Sequence, residues 1–356
     1  MRNMRIAHIN LAKGFRGGER QTQLLAHGLA DRGIRQKLVA RRGGMLAESC
    51  ASIPGLELVA VHNNILSAVA AMNNVGLVHI HEGRAMQAGY LNQKLRGVPY
   101  LVTRRVQKGP RRNSITRAMY RQAAVIVAIS KAIGASVSAL DAGLECDIIP
   151  DSSAGLIFDP QAVQDIRARF GGGLIFGHIG ELDDSHKGQR QIIDMASRLQ
   201  RQAPDLMFVL VGSGRDEKLL RREADGLPNV RFAGRVDNVG DYLRAFDAFI
   251  YPSRHEGLGS ILIDALEYGL PIIATDVGGI PELLDDGLNG FLIEPDDLDS
   301  MAHAVLQLYR DPDLRERIGQ TNMKKAVQYS TAEMTRRYVS IYDRLYKEHS
   351  LETATI

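Results

Sequence analysis

The chain has 356 residues, more than one domain usually contains, and its 45% hydrophobic residues supply enough apolar material for two cores. Charged residues make up 24% and only two cysteines occur, which excludes a disordered chain, a disulfide-rich secreted scaffold and a thiolate metal site. The longest apolar run, Ala123 to Ile129, is far shorter than the ~20 residues of a membrane helix, and no signal-peptide core is recognisable, so we expect a globular protein in a reducing cytoplasm.

Short β-rich runs alternate with helix-length amphipathic segments through the first 150 residues. Apolar runs such as Val125 to Ile129 suit strands buried on both faces, and Ser130 then supplies an N-cap for the next helix. The predicted strands are Arg5–Asn10, Lys37–Ala40, Leu56–Val61, Leu77–His81, Tyr100–Thr103 and Val125–Ile129. This alternation predicts a parallel, doubly wound sheet.

A glycine-containing loop, Ala12 to Glu19, follows the first predicted strand and leads into a helix predicted from Arg20 to Arg32. Ligands of open α/β sheets bind at the carboxyl ends of strands, where glycines let an anion reach backbone N–H groups. The dinucleotide pattern G-x-G-x-x-G is absent from this loop. Gly17 and Gly18 therefore indicate either a tight structural turn or, favoured by their place in the topology, a ligand site.

The fourth predicted strand ends with two histidines. Because side chains alternate along a strand, His79 and His81 face the same side, and His81 lies nearer the end of the strand, toward a cleft. His81 is either a hydrogen-bonded packing residue or a functional one. We expect no zinc here, since no third ligand occurs at a recognisable spacing.

A basic stretch follows, with no acidic residue between Tyr100 and Ala123. Its cations are Arg104, Arg105, Lys108, Arg111, Arg112, Arg117 and Arg121. Residues 1–160 hold 21 Lys and Arg against 10 Asp and Glu, whereas the remainder holds 23 against 31. The stretch is either a solvated face or a surface for anionic lipid or a phosphorylated acceptor. Nucleic acid fits less well, because no aromatic interleaving accompanies the charges.

The stretch from Pro150 to Pro160 interrupts the pattern and is typical of a linker. A second series of strands is predicted at Leu174–Ile179, Met207–Val211, Val230–Ala233, Ala248–Tyr251, Ile272–Thr275 and Phe291–Ile293. Three helices follow, near Leu298–Tyr309, Pro312–Tyr329 and Ala332–Lys347. We predict an N-terminal domain of residues 1–152, to which residues 331–356 return as a terminal helix, and a C-terminal domain of residues 153–330.

The densest motif in the chain begins at Tyr251 with Y-P-S-R-H-E-G-L-G-S-I-L-I-D. A strand ends there, a Gly-x-Gly loop follows and a helix opens, which is the arrangement of a phosphate cradle. Glu256 precedes the loop, and Asp264 lies eight residues later, two turns along the helix. A carboxylate that touched phosphate would be unfavourable, so both acids are expected to bind hydroxyls or a developing cation. Sugar and ribose hydroxyls are the natural partners.

This segment resembles the marker of the family-4 retaining glycosyltransferases of the GT-B fold, which is an acid, seven residues and a second acid within P-S-x-x-E-G-F-G. Other segments similar to the family are Gly17-Gly18-Glu19, Gly180-Glu181-Leu182 with Lys187-Gly188, Gly212-Ser213-Gly214, Phe232 to Val236 and Gly278 to Glu282. The likeness covers most of the chain. It implies an α/β GT-B protein, with two Rossmann-like domains facing each other across a deep cleft.

The resemblance also implies a role for each matching residue. Glu256 would contact the transferred sugar, Lys187 the diphosphate and Asp264 the ribose hydroxyls. His81 would lie at the sugar or reacting centre and is the third catalytic candidate. The other implied donor-binding residues are Gly17, Gly18 (donor phosphate), Glu181, Gly212, Arg235, Val236 (base), Gly257, Leu258, Gly259 and Ser260 (distal phosphate).

Two positions depart from the family's pattern. Asp264 stands where the family usually has Glu, which shortens a reach. Glu181 stands where the family usually has Arg, which removes a cation from the leaving group. Arg254 or Arg16 could supply the missing charge. The stereochemistry implied is retention, by front-face displacement that rests on Lys187 and helix amides instead of a metal.

We therefore expect a metal-independent, retaining glycosyltransferase without a cofactor. It would move a sugar from a UDP- or GDP-type nucleotide sugar to a hydroxyl of a glycan or glycolipid in lipopolysaccharide or other cell-envelope polysaccharide synthesis. The residues expected at the acceptor or at the inner face of the cytoplasmic membrane are Arg104, Arg105, Lys108, Arg111 and Arg112. The alternatives are a sugar-nucleotide epimerase of the same fold and a nonenzymatic, membrane-docking nucleotide-binding protein; nucleic acid is not an expected partner.

Overall fold

The computed structural model describes residues 5–171 and 173–354. It divides into two compact units, an N-terminal unit of Met1–Ala154 with Tyr329–Ile356 and a C-terminal unit of Gly155–Gln328. The predicted domain boundaries, after residues 152 and 330, each lie two residues from these.

The N-terminal unit is built on a parallel sheet of seven strands. The strands are β1 (Arg5–Asn10), β2 (Arg35–Arg41), β3 (Leu56–Val61), β4 (Leu77–Ile80), β5 (Tyr100–Arg104), β6 (Val125–Ala128) and β7 (Asp147–Ile148). The helices are α1 (Gly17–Ala30), α2 (Met45–Cys50), α3 (Ile65–Ala71), α4 (Met86–Arg96), α5 (Ser114–Arg121) and α6 (Lys131–Ser138). The strand order is β3-β2-β1-β4-β5-β6-β7, so the winding reverses between β1 and β4. Such a switch point is where open α/β sheets bind ligands.

The C-terminal unit contains a second parallel sheet, in the order β10-β9-β8-β11-β12-β13. Its strands are β8 (Ile175–Ile179), β9 (Met207–Val211), β10 (Val230–Gly234), β11 (Ala248–Tyr251), β12 (Ile272–Thr275) and β13 (Phe291–Ile293). The helices are α7 (Pro160–Arg169), α8 (Asp184–Lys187), α9 (Gln189–Leu199), α10 (Glu217–Glu223), α11 (Val239–Ala245), α12 (Ser260–Glu267), α13 (Leu298–Arg310) and α14 (Pro312–Ala326), with 3₁₀ turns at Ile280–Glu282 and Val327–Tyr329. Here the switch point lies between β8 and β11.

A long C-terminal helix, α15 (Thr331–Ala354), packs on the N-terminal unit. Its Met334, Tyr338 and Tyr342 are buried in one cluster with Ile6 of β1 and Leu25 of α1. The predicted return of the terminal helix to the first domain is confirmed. None of the helices in the described residues is both long and apolar enough to cross a membrane.

The start of α1 differs from the prediction. Gly17, Gly18 and Glu19 form the first turn of the helix and not a loop before it. The reason is local, because the Glu19 carboxylate accepts the N–H of Arg16 at 2.9 Å and so closes the helix start. The two glycines therefore belong to a helix N-terminus that follows β1.

The other differences are at element ends and in the linker. The sequence does not predict β7, whose two residues are too few to show a pattern. The helix predicted from Pro312 changes to a 3₁₀ turn after Ala326. Residues 150–159 contain neither helix nor strand, as predicted, but Ser152 is buried and exchanges backbone hydrogen bonds with the Gln21 amide at 2.7 and 2.9 Å.

Candidate functional site

The predicted donor residues of the C-terminal unit gather at the carboxyl edge of its sheet. Lys187 ends α8, in the connection after β8, and Glu256 lies in the loop after β11. Because β8 and β11 are neighbours, the topology brings these two side chains together across 69 residues of sequence. Lys187 Nζ lies 2.5 Å from Glu256 Oε2, and the two side chains are only 16% and 15% exposed.

Tyr251, the last residue of β11, is a third member of this cluster that the sequence analysis missed. Its hydroxyl accepts a hydrogen bond from Lys187 Nζ at 2.6 Å and donates one to Glu256 Oε2 at 2.7 Å. Lys187 Nζ also lies 4.9 Å from the centre of the Tyr251 ring, a cation–π distance. Burial and the neighbouring Glu256 raise the pKa of Tyr251 well above 10, so the hydroxyl stays a donor. The place of Tyr251 at the end of a strand beside the switch point is the sequence feature that could have predicted its role in the site.

The charge of Glu256 is set by these two neighbours. Burial by itself raises the pKa of this carboxyl, but the Lys187 ammonium and the Tyr251 hydroxyl outweigh burial, and the pKa is lowered. Glu256 is therefore ionised at neutral pH. An ionised, half-enclosed carboxylate can bind a hydroxyl or stabilise a developing positive charge.

Backbone geometry holds the two halves of the cluster together. Gly188 follows Lys187 with φ +67°, and a Cβ at this position would lie 2.1 Å from the Pro252 carbonyl oxygen, so only glycine fits. Ser253 is buried, and its hydroxyl donates to the His186 carbonyl at 3.0 Å. The K-G pair and the Y-P-S segment are thus fixed side by side.

The Gly-x-Gly segment ends in a helix N-terminus, as predicted. Leu258 is buried, Gly259 is the N-cap residue of α12 with φ +84°, and the helix begins at Ser260. Gly259 has no side chain with which to cap the helix, so the start of α12 offers the N–H groups and the dipole that an anion prefers. Gly257 leads into this turn. Asp264 lies one turn into α12 and is buried, with 8% exposure.

The other predicted donor residues follow the neighbouring strands. The fold requires a glycine at Gly212, after β9, because a Cβ there would lie 1.9 Å from the Gly180 carbonyl oxygen. Arg235 and Val236 follow β10; Arg235 is exposed and Val236 is half-buried. Glu181, after β8, has an exposed side chain. All of these positions share the sheet edge that carries Lys187.

Arg254, a candidate for the cation that Glu181 removes, has other partners in this structure. Its guanidinium donates to the Asp184 carbonyl at 2.7 Å and pairs with the Asp296 carboxylate at 2.8 Å. Its guanidinium is thus engaged by other partners in this structure, and the supply of a charge by Arg254 once the cleft closes stays a prediction.

The N-terminal unit contains a cavity of about 1020 Å³ beside the carboxyl ends of its strands. Among the residues that line it are Gly18, Glu19, His81, Glu82, Arg84, Arg104, Arg105, Lys108 and Arg111. The fold therefore brings the predicted Gly18 and His81 together with the basic stretch, which the sequence presented as separate features. Gly17 lies next to Gly18 in the first turn of α1.

His81 belongs to a buried cluster of three histidines. The rings of His79 and His81 lie on the same side, as predicted, with centres 3.8 Å apart, and His8 Nδ1 lies 2.9 Å from His81 Nε2. Sequence spacing shows no third ligand, but the fold brings one to the pair, because one ring nitrogen of each histidine lies within 4.8 Å of the others. His8 is opposite His79 in the β1–β4 pairing, a contact that sequence spacing does not show.

The histidines of this cluster are hydrogen-bonded and neutral. Both ring nitrogens of His79 are engaged, Nδ1 with the Tyr342 hydroxyl at 2.7 Å and Nε2 with Thr103 Oγ1 at 2.8 Å. Burial lowers the pKa of His8 to about 3 and those of His79 and His81 well below 6.5, so all three are neutral at pH 7. The three histidines form a hydrogen-bonded cluster, of which His81 lines the cavity. That the reaction needs no metal stays a prediction.

Arg105 is not part of an exposed basic surface, and the expectation that it docks on a membrane is wrong. Its side chain is only 8% exposed, and its Nε pairs with the buried carboxylate of Asp151 at 3.0 Å. Arg104 is half-buried and donates to the Tyr120 hydroxyl at 3.1 Å. Lys108, Arg111 and Arg112 are exposed and remain available for a surface contact.

Two doubly wound parallel sheets, each with its candidate residues at a switch point, define a protein of the GT-B type. The crystal structure of Anabaena HepE in complex with UDP and glucose has the same fold, with a TM-score of 0.82 at 18% identity over 96% of this chain and 100% of that chain. The predicted α/β GT-B fold is confirmed.

Residues 173–311 match the model of the glycosyl transferases group 1 family, which confirms the resemblance seen in the sequence. The lipopolysaccharide core biosynthesis glycosyltransferase LpsE of Rhizobium meliloti is 30% identical over 159 residues, which are 44% of this chain and 46% of LpsE. A phosphatidyl-myo-inositol mannosyltransferase of Mycobacterium leprae is 29% identical over 179 residues, 49% of this chain and 47% of that protein. The chain thus matches about half the length of these curated relatives.

Proposed function

We propose that this protein transfers a glycosyl group from a UDP- or GDP-type nucleotide sugar to a hydroxyl of a glycan or glycolipid. The observation that carries the proposal is the cluster of Lys187, Tyr251 and Glu256 beside the N-terminus of α12. A cation and a helix N-terminus suit a diphosphate, and the carboxylates of Glu256 and Asp264 suit hydroxyls of a sugar and a ribose. The HepE structure with UDP and glucose and the pathway named for LpsE support this assignment.

Lys187 and Glu256 have separate tasks in the proposed reaction. The flexible stem of Lys187 lets its ammonium turn from Glu256 to an oxygen of the departing diphosphate. Tyr251 stays hydrogen-bonded to Glu256 and keeps this carboxylate oriented when the ammonium has moved. Glu256 then binds a hydroxyl of the transferred sugar, and Asp264 binds the ribose.

The proposed reaction retains the configuration of the anomeric carbon. The bond from this carbon to the distal phosphate oxygen breaks while the acceptor oxygen forms its bond on the same face. The acceptor proton passes to the leaving phosphate oxygen, so the products are a glycoside and a nucleoside diphosphate. Lys187 and the amides of α12 stabilise the charge that develops on the diphosphate, which is the task a metal would otherwise perform. The proposed reaction uses no cofactor.

The acceptor is proposed to be a cell-envelope glycolipid, of lipopolysaccharide type, reached at the inner face of the cytoplasmic membrane. The exposed cations Lys108, Arg111 and Arg112 lie in sequence between Val106 and Ile115, apolar residues that are 61% and 65% exposed. Exposed apolar side chains among cations are typical of proteins that bind anionic membrane surfaces. The cytoplasmic protein would then associate with the membrane peripherally.

A panel of radiolabelled UDP- and GDP-sugars tests the proposed function on the full chain. Label transferred to an acceptor, or slowly to water, with release of nucleoside diphosphate supports a glycosyltransferase. Label that stays on the nucleotide in an isomerised sugar would show an epimerase, and binding without turnover of any donor would show a nonenzymatic binding protein. Glu256→Gln should lose transfer, whereas Arg190→Gln, a surface variant of the same unit, should keep it.

A further inference from the structure

The guanidinium of Arg105 is buried at the cavity of the N-terminal unit without a full set of hydrogen bonds. Nε is bonded to Asp151, but among the residues that the structure describes neither Nη1 nor Nη2 has a hydrogen-bond partner. Buried donors without a partner are rare in proteins and call for an explanation. Both terminal nitrogens of this planar guanidinium are therefore buried with their N–H donors unpaired, in a residue that helps to line the cavity.

The cavity has an excess of positive charge around this fork. Five cationic side chains line it, from Arg84, Arg104, Arg105, Lys108 and Arg111, against two carboxylates. The carboxylate of Glu19 accepts the N–H of Arg16 at the start of α1. The carboxylate of Glu82 accepts the N–H groups of Arg84 and Ala85, just after β4. Neither of them is bonded to the terminal nitrogens of Arg105.

Gly18 and His81 lie at the same cavity as Arg105. Gly18, in the first turn of α1, lies beside Arg105, since a Cβ at Gly18 would come to 3.7 Å from the Arg105 Cδ. His81 lines the same cavity, is neutral, and has a buried Nδ1 without a hydrogen-bond partner among the described residues. A helix start, an arginine fork and a second polar atom thus meet at one cavity.

We propose that Arg105 is the anchor of a phosphate-binding site in the N-terminal unit. A planar guanidinium whose two terminal nitrogens have no partner among the described residues matches two oxygens of a phosphate group, and a phosphate monoester carries close to two negative charges to balance the surplus of the cavity. The inference rests on the proposed function, because the phosphate is taken to belong to a substrate of glycosyl transfer. It is either a phosphate group of the acceptor or the diphosphate of the donor.

Calorimetric titration of the full chain with inorganic phosphate, against sodium chloride of equal ionic strength, tests the site. The informative variant is Arg105→Lys, which keeps a cation for Asp151 but removes the fork, and the matched control is Lys94→Gln, an exposed cation of α4 in the same unit. Arg105→Lys should bind phosphate about tenfold more weakly or worse, whereas the control should change affinity by about threefold or less. Equal binding by wild type and Arg105→Lys, or no binding by wild type at millimolar phosphate, overturns the proposal.

Repeating the titration with saturating UDP identifies the source of the phosphate. Unchanged phosphate affinity assigns the site to the acceptor. Competition by UDP, together with weaker UDP binding in Arg105→Lys, assigns it to the donor diphosphate. If Arg105→Lys does not fold, amide hydrogen exchange of the wild type is measured instead. Phosphate should then slow exchange in residues 102–113 but not in residues 256–268. If only the phosphate site is wrong, the protein still binds UDP and transfers sugar. If the proposed function is wrong, no donor supports transfer, but the protein still binds phosphate.

Discussion

Replacing Lys187 by methionine tests both the electrostatics of the C-terminal cluster and its catalytic role. Methionine keeps an unbranched apolar stem but removes the ammonium that lies 2.5 Å from Glu256. Removing one partner of a buried ion pair costs about 3 to 5 kcal/mol, because the other charge is left enclosed without compensation. With the side chains 16% and 15% exposed and Tyr251 still bonded to Glu256, we expect a loss near the lower value, about 3 kcal/mol.

The loss should depend on pH in a defined direction. In the wild type the folded pKa of Glu256 lies below its unfolded value, so its contribution is complete above about pH 4.3 and is lost as the pH falls through the folded pKa. Without Lys187, burial raises the folded pKa, and the carboxyl destabilises the variant progressively as the pH rises above about 4.3. The stability gap between the two proteins should therefore be largest near pH 7.5 and shrink toward pH 4.5, as measured by thermal unfolding.

The catalytic effect is measured separately, with saturating donor and acceptor. Lys187→Met should lower kcat by roughly 100-fold or more, the loss typical of removing one preorganised donor to a developing negative charge. Glu181→Ala, on the same connection, should lower it far less. Near-normal turnover of Lys187→Met would refute leaving-group stabilisation by this lysine, and an equal collapse in Glu181→Ala would show a direct role for the acid.

A double variant separates stability from catalysis. In Lys187→Met with Glu256→Gln, no carboxylate is left that needs a cation, so much of the lost stability should return while transfer stays abolished. A stability loss that is independent of pH, or that the second substitution does not relieve, would show that the ion pair is not its cause.

Three further predictions follow from the placement of other residues. Asp264→Asn should raise the donor KM more than it lowers kcat, with Asp264→Glu tolerated, and an unchanged KM with reduced turnover would exclude ribose binding. Arg111→Glu with Arg112→Glu should abolish the salt-sensitive binding of the full chain to anionic vesicles; unchanged binding would favour a soluble acceptor. Gly18→Ala should unfold like the wild type, because its Cβ would meet one described side-chain carbon at 3.7 Å, but should weaken UDP or phosphate binding. Unaltered binding of both would make Gly18 a structural residue.

Much of the C-terminal site could be predicted from sequence because its parts lie in continuous segments. The sequence segment around Glu256 contains the strand end, the glycines and the helix start. The alternation of a strand and the periodicity of a helix predict the position of each of them. The contact of Glu256 with Lys187 follows from the order of the parallel strands. Tyr251 was assigned to the strand but not to the site, since a strand pattern does not show which way the last side chain turns.

The N-terminal site was predicted only in part, because its contacts join distant segments. A charge pattern treats all the cations of the basic stretch alike, yet the structure separates them by their partners. Arg105 turns inward to Asp151, 46 residues on, and Arg121 pairs with Asp141 at 2.5 Å and lowers the pKa of that carboxyl. His8 joins the histidine cluster through the pairing of β1 with β4. None of these partners lies within a helical or strand repeat of the residue it contacts.

The glycines show why a motif alone does not separate a structural residue from a functional one. Gly188 and Gly212 belong to segments that resemble a sugar-transferring family, but the fold itself requires them, since a Cβ at either would overlap a backbone carbonyl oxygen. Packing makes no such demand at Gly18, where a side chain would find ordinary contact distance. A glycine that the fold does not need, at a helix start beside a partly unpaired arginine, is better explained by a ligand that approaches the backbone. We therefore expect the N-terminal unit to take part in binding in its own right, beyond carrying the predicted His81.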